Sequence, residues 1–399
     1  MPKVLRILNR LVIGGPLLNA SYLTKYMSPE FETMLVAGER EDHEKDAGFV
    51  TDSLGIQPVF ISNMSRSINL RKDYDSYKQL QKLIGQFKPD IVHTHAAKPG
   101  ALGRLAAKSM NVPVVVHTFH GHVFHSYFNS IKNNVFINIE RYLGRKSDAI
   151  IAISNEQKNE LVNKFKIAPE NKFRIIPLGL DLDKFQADQE NKRKKFRAEF
   201  NIGDDEIVIT ITGRLVPVKN HDLFLKAIRF LKENTATRFK AFIVGDGETR
   251  NELEQKASGY GIKFSDEKSN EHPHELVFTS WRKDIDYINA GSDIIALTSL
   301  NEGTPVSLIE AQAAGKPVIS TRVGGIETVV NENITGLLSD IDDEQQFCRN
   351  LLSLVNDHEL RKRLSGSGVQ HVIEKFSYQR LVKDMSKLYN ELLDSRKNV

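Results

Sequence analysis

Short apolar runs, most of them β-branched, alternate with amphipathic stretches along almost the whole chain. Runs at 3–9, 31–37, 57–61, 90–95, 113–119 and 148–153 make one series, and runs at 206–212, 239–244, 275–279, 293–298 and 317–321 make a second. Most are continuous rather than alternating, which is what a strand covered on both faces requires. Helical patterns lie between them: over 74–87, Tyr74, Tyr77, Leu80, Ile84 and Phe87 recur on one face. Strands alternating with helices predict parallel sheets. The rhythm breaks at 183–205, where Lys192, Arg193, Lys194 and Lys195 are followed by Asp204 and Asp205, and this places a domain junction near 177–183. The expected fold is α/β, with two Rossmann-like, doubly wound domains over 1–180 and 181–378 facing a cleft, their ligands at the C-terminal ends of the strands. The last helix, about 379–394, carries Leu381, Met385, Leu388 and Leu392 on one stripe. With the residues to 399 it is a candidate to pack back on the first domain.

Composition narrows the class. At 399 residues the chain suits two cores rather than one. Its 40% hydrophobic and 27% charged residues are those of a globular protein. The single cysteine, Cys348, rules out an intrachain disulfide and fits a reducing compartment. No apolar run nears the ~20 residues of a spanning helix. The apolar start is broken by Arg6, Asn9 and Arg10, so it reads as strand and loop rather than a signal peptide. A soluble, cytoplasmic protein is expected. The net charge of +4 conceals an asymmetry: residues 1–180 hold 24 Lys and Arg against 16 Asp and Glu. A basic half suits an anionic partner, whether a membrane surface, a phosphate-bearing acceptor or nucleic acid, and it equally suits plain solvated charge. No nucleic-acid motif accompanies it, so nucleic acid is not an expected partner.

Candidate chemistry concentrates in the second half. Asn301-Glu302-Gly303-Thr304-Pro305-Val306 follows the run at 293–298 and opens a helix, with Thr304 placed as N-cap and Pro305 at the first helical position. Free amides on Val306 and Ser307 would then receive an anion such as a diphosphate. Glu302 lies in the loop and Glu310 over a turn into the helix; on their own they would be read as charges complementing a helix dipole. Gly213-Arg214-Leu215 and Lys219 follow the run at 206–212, where two cations can neutralise a leaving diphosphate. The bland reading of both is solvated surface charge.

Gly213-Arg214-Leu215 with Lys219, Gly245-Asp246-Gly247, Trp281-Arg282, Glu302-x7-Glu310, Val323-Gly324-Gly325 and Gly336-Leu337-Leu338 occur in that order. The combination resembles glycosyltransferase family 4, and the likeness covers most of 206–340. The resemblance implies the GT-B fold and sugar transfer with retained anomeric configuration. It implies that Arg214 and Lys219 hold the donor diphosphate, that Glu310 accepts hydrogen bonds from the ribose, and that Glu302 contacts the transferred sugar. Arg282 would lie near the base, with Gly303, Thr304 and Val306 also at the donor. In the first half Gly14-Gly15-Pro16 is similar to the family's glycine loop, Gly15 facing the donor and Gly14 the acceptor side; Pro16 departs from the small or charged residue usual there. His93-Thr94-His95, Lys98-Pro99-Gly100 and Gly103-Arg104-Leu105 look like members that build capsule, exopolysaccharide and lipid-linked glycans, with Lys98 toward the acceptor.

Three readings stay open for His117, His120, His122 and His125: a metal site, buried structural residues, or, for His120, the family's histidine that touches the donor hexose. No Asp, Glu or Cys lies nearby in sequence to complete a metal site. Asp-x-Asp occurs at Asp181/Asp183, Asp284/Asp286 and Asp340/Asp342, and three unrelated copies look coincidental. The expectation is a retaining, metal-independent transferase without a resident cofactor. It would move a hexose or N-acetylhexosamine from a nucleotide-diphosphate sugar, UDP-linked by preference, to a cell-surface glycan acceptor on a membrane lipid. It would work in the cytoplasm, with an anionic membrane surface as a candidate partner. A UDP-sugar 2-epimerase and a non-catalytic glycan-binding relative are the alternatives.

Overall fold

The computed structural model describes residues 1–12, 14–39, 47–65, 69–121, 130–266 and 275–397. The chain divides into two compact units, one of residues 1–180 with 376–399 and one of residues 181–375.

In the first unit β1 (Lys3–Leu8), β2 (Glu32–Gly38), β3 (Val59–Ile61), β4 (Ile91–His95), β5 (Val114–Phe119), β6 (Ala149–Ala152) and β7 (Phe173–Ile175) pair in the order β3-β2-β1-β4-β5-β6-β7. In the second, β8 (Ile207–Thr212), β9 (Phe239–Val244), β10 (Phe264–Asp266), β11 (Leu276–Ser280), β12 (Ile294–Leu297), β13 (Val318–Thr321) and β14 (Gly336–Ser339) pair as β10-β11-β9-β8-β12-β13-β14. Every ladder is parallel. In each unit the first strand is central, so successive connections run to opposite sheet faces and both faces are covered. This is why β4, β5 and β6 are buried along their whole length and read as unbroken apolar runs.

The eleven expected strands are present, each within two residues of its expected limits. The sequence pattern missed β7, β10 and β14, all of them outermost in their sheets. Each has only three or four residues, and β7 buries only Phe173. None of the three carries three consecutive apolar residues, as β3 at the opposite edge of the first sheet does with Val59, Phe60 and Ile61. The helix predicted over 74–87 spans Leu70–Phe87, with Asn69 accepting from the Lys72 amide at its start. Leu80 and Ile84 are buried as expected, but Tyr74 is 60% exposed and lies beneath the Lys78 ammonium. The apolar arc is wider than the strip this helix presses on the sheet.

The polar stretch at 183–205 is no linker. It contains the helix Gln189–Glu199, whose Phe196, with Phe200, packs on Phe242. Its Arg193 and Arg197 pair with Asp293. The chain returns to the first unit where the Leu180 amide donates to the Phe376 carbonyl and the Tyr378 amide to the Leu180 carbonyl, and the second unit ends at 375, three residues before the boundary expected at 378. The terminal helix Tyr378–Lys397 then buries Leu381, Met385, Leu388 and Tyr389 against β1, β4 and β5.

The Gly100 and Gly103 motif positions are explained by packing. A Cβ on Gly100 would stand 2.5 Å from the His117 ring, and one on Gly103 2.7 Å from Thr94 Cγ2. The helix Ala97–Ser109 therefore lies close on the sheet, with Arg104 buried beside it and bonded to Glu140 at 2.7 Å and to the Gly100 carbonyl. Removing one member of such a pair strands the other charge in the interior. Glu140→Leu should cost about 3–5 kcal/mol of the first unit's stability by denaturant unfolding, and Arg104→Met in the same chain should recover most of it. A single-variant loss under about 1 kcal/mol would mean that the pair does not behave as buried charge.

Candidate functional site

The second unit gathers its chemistry at the C-terminal ends of its four middle strands. The loop after β8 lies against the loop after β9, with the Leu215 amide donating to the Asp246 carbonyl and the Thr249 amide to the Leu215 carbonyl. The loop after β12 lies against the loop after β13, with the Gly325 amide donating to the Glu302 carbonyl at 3.1 Å. Glycine permits both contacts. A Cβ on Gly245 would fall 1.9 Å from the Gly213 carbonyl oxygen, and one on Gly324, at φ +50°, the same distance from that of Glu302. The glycine motifs thus set backbone against backbone and hold two loop pairs on either side of the crevice between β8 and β12, where the strand order reverses.

Lys219 and Glu302 meet across that crevice. The Lys219 ammonium donates to Glu302 Oε1, which also accepts from Ser299 Oγ at 2.6 Å. Both side chains are partly buried. The lysine's own carbonyl is held by Thr298 Oγ1, and the Leu300 amide binds the Val218 carbonyl, so both sides of the pair are fixed by the backbone. Thr298 and Ser299 were missed in the sequence because nothing marks them beyond the end of an apolar run. Arg214 follows β8 and is exposed, its carbonyl accepting from the Val216 amide at 3.0 Å. Arg282 does not join this cluster. Its guanidinium is engaged by Glu199 and by both oxygens of Asp284, and it stacks over Phe200.

The helix after Glu302 starts one residue later than expected. It spans Val306–Ala313 with Pro305, not Thr304, at the N-cap, and no side chain caps it. Proline already fixes the entry and cannot offer a capping oxygen, so the Val306 and Ser307 amides have no partner within the helix. A Cβ on Gly303 would meet nothing within 4 Å, so its side of the loop is open. One turn in, the Glu310 carbonyl accepts from the Ala314 amide, while its carboxyl forms no hydrogen bond or ion pair with a described residue. Burial of its carboxyl pushes its pKa up to about 7, with Asp286 adding to the rise and Lys184 opposing it. Of the Asp-x-Asp copies, Asp284 is paired with Arg282, Asp286 with Lys192 and Asp340 with Arg322. Among the described residues no three His, Cys, Asp or Glu side chains are grouped to hold a metal ion.

In the first unit the corresponding reversal lies between β1 and β4. Gly14 and Gly15 open the helix Gly15–Tyr26 with Pro16 in its first turn, and Gly15 packs near Leu178. Ala96, directly after β4, has φ 65° and ψ 164°, a region almost reserved for glycine. Lys98 is drawn to Asp73 on the neighbouring helix. His120 follows β5, and its Nε2 lies 2.8 Å from His95 Nδ1. His93 links Tyr389 Oη at 2.6 Å to Thr118 Oγ1 at 2.7 Å, and His117 bonds Thr94. Burial depresses all four histidines, His120 to about 3, so they stay neutral at ordinary pH. His117 is a core residue on the other sheet face; His122 and His125 lie outside the described residues.

Two doubly wound units, one with a cation, a carboxylate and uncapped helix amides at its switch point, define the GT-B class of glycosyltransferase. Residues 192–371 match the family described as glycosyl transferases group 1, and residues 21–184 match Glycosyltransferase Family 4. The chain belongs to glycosyltransferase family 4. It is 32% identical to the UDP-Gal:alpha-D-GlcNAc-diphosphoundecaprenol alpha-1,3-galactosyltransferase of Escherichia coli over 88% of each chain. It is 27% identical to the capsular polysaccharide biosynthesis glycosyltransferase CapM of Staphylococcus aureus, over 83% of this chain and 84% of that one. The Anabaena HepE structure in complex with UDP-glucose superposes with a TM-score of 0.79 at 18% identity, covering 98% of this chain and 99% of that one.

Glu310 carries a stability signature. Its folded pKa of about 7 lies above the ordinary 4.5, so the folded state holds a proton that the unfolded state releases as pH rises through that interval. The destabilisation is absent below pH 4.5 and complete above about 7. Glu310→Gln should therefore raise the melting temperature of the unliganded protein at pH 8 by a few degrees and leave it nearly unchanged at pH 5. An equal shift at both pH values would contradict a desolvated carboxyl.

Proposed function

We propose that the chain transfers a hexose or N-acetylhexosamine from a UDP-sugar to a lipid-linked glycan acceptor, with retention at the anomeric carbon and without a metal ion. The observation that carries the donor half is Glu310, a desolvated carboxyl one turn behind the uncapped helix amides that follow the Lys219–Glu302 pair at the switch point. A ribose diol supplies the hydrogen bonds that the carboxylate lacks, and the amides of Val306 and Ser307 receive a phosphate. Lys219 exchanges Glu302 for the diphosphate, with Arg214 as the second cation, and the released Glu302 turns to the transferred sugar. The bond from the anomeric carbon to the diphosphate oxygen breaks as the bond to the acceptor oxygen forms on the same face. The acceptor proton leaves on the departing phosphate oxygen, so no strong protein base is needed. The E. coli relative, named for UDP-Gal and a diphosphoundecaprenol acceptor, supports this substrate class.

Lys219→Ala and Arg214→Ala should each weaken UDP binding by calorimetry about tenfold or more, in line with the loss of a charge-assisted contact. Turnover should persist in excess EDTA. Unchanged UDP affinity in both variants contradicts the clamp, and loss of turnover that manganese or magnesium restores contradicts metal independence. Epimer formation from the UDP-sugar without acceptor would favour the 2-epimerase reading.

The acceptor half falls to the first unit, and the partner surface there is an anionic bilayer. No described helix is long and apolar enough to cross a membrane. A groove of about 660 Å³ is lined by Tyr74, Tyr77, Leu105 and Tyr142, with Lys108 and Lys146 among its walls. On the helix Ser130–Lys146, Val135, Ile139 and Tyr142 form an exposed apolar stripe at spacings of four and three. Lys78 lies over Tyr74 and Tyr77, and Lys146 over Tyr142. Aromatic rings beside lysine stems suit the headgroup layer, and each cation near an anionic surface contributes about 1 kcal/mol. The protein should bind vesicles rich in phosphatidylglycerol but not phosphatidylcholine vesicles. Binding should fall at 1 M salt and in Lys78→Glu/Lys82→Glu or Tyr74→Ser/Tyr142→Ser. Equal binding to both lipids, none at low salt, or self-association through the groove would contradict the bilayer as partner.

A further inference from the structure

The turn after β5 is clamped from both neighbouring strands. On the β4 side, His95 Nδ1 meets His120 Nε2 at 2.8 Å with the rings stacked at 5.1 Å. On the β6 side, Gln157 Nε2 donates to the Gly121 carbonyl at 3.0 Å, while its Oε1 accepts from the Ile153 amide at 2.9 Å. Gln157 is itself buried and fixed, its amide donating to Ser154 Oγ at the start of the helix Asn155–Asn159. The two residues after β5 are thus held by one side chain from each flanking strand end.

The His120 imidazole is not arranged as a proton carrier. Its Nε2 is spent on His95, and its Nδ1 is buried without a partner among the described residues. An N–H···N bond between two imidazoles needs an N–H on one ring and a free lone pair on the other, so a proton added to the accepting nitrogen would break it. The groups facing the pair are Arg6 from β1, His93 from β4, itself bonded to Tyr389 of the terminal helix, and His117 from β5; those acting on its charge are cations or potential cations and oppose protonation.

We propose that His95 and Gln157 are positioning residues for the sugar-facing turn at 120–121, and that the His120 imidazole is a neutral strut bonded to His95 rather than a general acid or base. The proposal rests on the proposed transferase function, with His120 taken as the histidine that the family resemblance turns toward the donor hexose. A turn held from two sides fixes where His120 and Gly121 stand, and misplacing it by an ångström costs rate more than nucleotide affinity.

The experiment separates a strut from a proton carrier with conservative variants. His120→Gln places an amide near the Nε2 position, and His95→Asn places one near Nδ1. Each should recover most of the roughly 10- to 100-fold loss in kcat expected of His120→Ala, His95→Leu and Gln157→Leu. UDP affinity by calorimetry should stay unchanged throughout, since the nucleotide is read as bound by the second unit. The pH dependence of kcat between 5.5 and 8 should keep its shape in His120→Gln. A loss of about 10²-fold or more in His120→Gln, or a changed acidic limb, would make the imidazole an acid–base group and overturn the proposal. Full activity in His95→Leu and Gln157→Leu would overturn it too. Failure of the wild-type protein to bind UDP would instead sink the donor reading and is read separately from these ratios. If His95→Leu or Gln157→Leu fails to fold, the His120→Gln ratio and pH profile decide the matter.

Discussion

The site depends on one constraint of parallel sheets: a central first strand sends its connections to opposite faces and leaves a gap where they part. In the second unit that gap lies between β8 and β12. Backbone there must turn away on both sides, so the strand ends offer unpaired groups and little bulk. Lys219 and Glu302 close the gap without ligand. A partly buried ion pair of this kind contributes little net stability, because desolvation offsets its attraction. It is therefore well suited to exchange, with a diphosphate taking the lysine and a sugar hydroxyl taking the glutamate.

The glycine motifs follow from the same geometry. Gly245 and Gly247 let the loop after β9 lie on Gly213 and Leu215, and Gly324 and Gly325 do the same for Glu302 and Gly303. Any side chain at these positions would push the loops apart and move Lys219 or Glu302 with them. The placement of Lys219 and Glu302 thus begins with residues that touch neither side chain. Glu310 expresses the opposite economy, since its carboxyl is left desolvated at a cost to the folded state, as binding sites often require.

Much of this was legible in sequence, for physical reasons. Buried parallel strands have to be apolar along their length, so the middle strands of both sheets announced themselves, and Arg214, Lys219, Glu302 and Glu310 stood in a recognisable order. The outer strands β7, β10 and β14 did not, since none has more than two consecutive apolar residues. The polar run at 183–205 hid a helix because Arg193, Arg197 and Lys192 spend their charge on Asp293 and Asp286. Pairing over a hundred residues leaves no local trace. Tyr389 beside His93 had to come from the structure for the same reason, and Gln157 beside Gly121 and the engagement of Arg282 by Glu199 and Asp284 because no apolar period marks a polar pairing.

In the proposed function the switch point of the second unit opens to take a diphosphate. A crystal structure of the protein with UDP tests it directly. The account predicts the phosphates against the Val306 and Ser307 amides, the ribose on Glu310, and the Lys219 ammonium moved from Glu302 to the diphosphate. UDP bound elsewhere, or bound with the Lys219–Glu302 pair intact and Glu310 unoccupied, would contradict it.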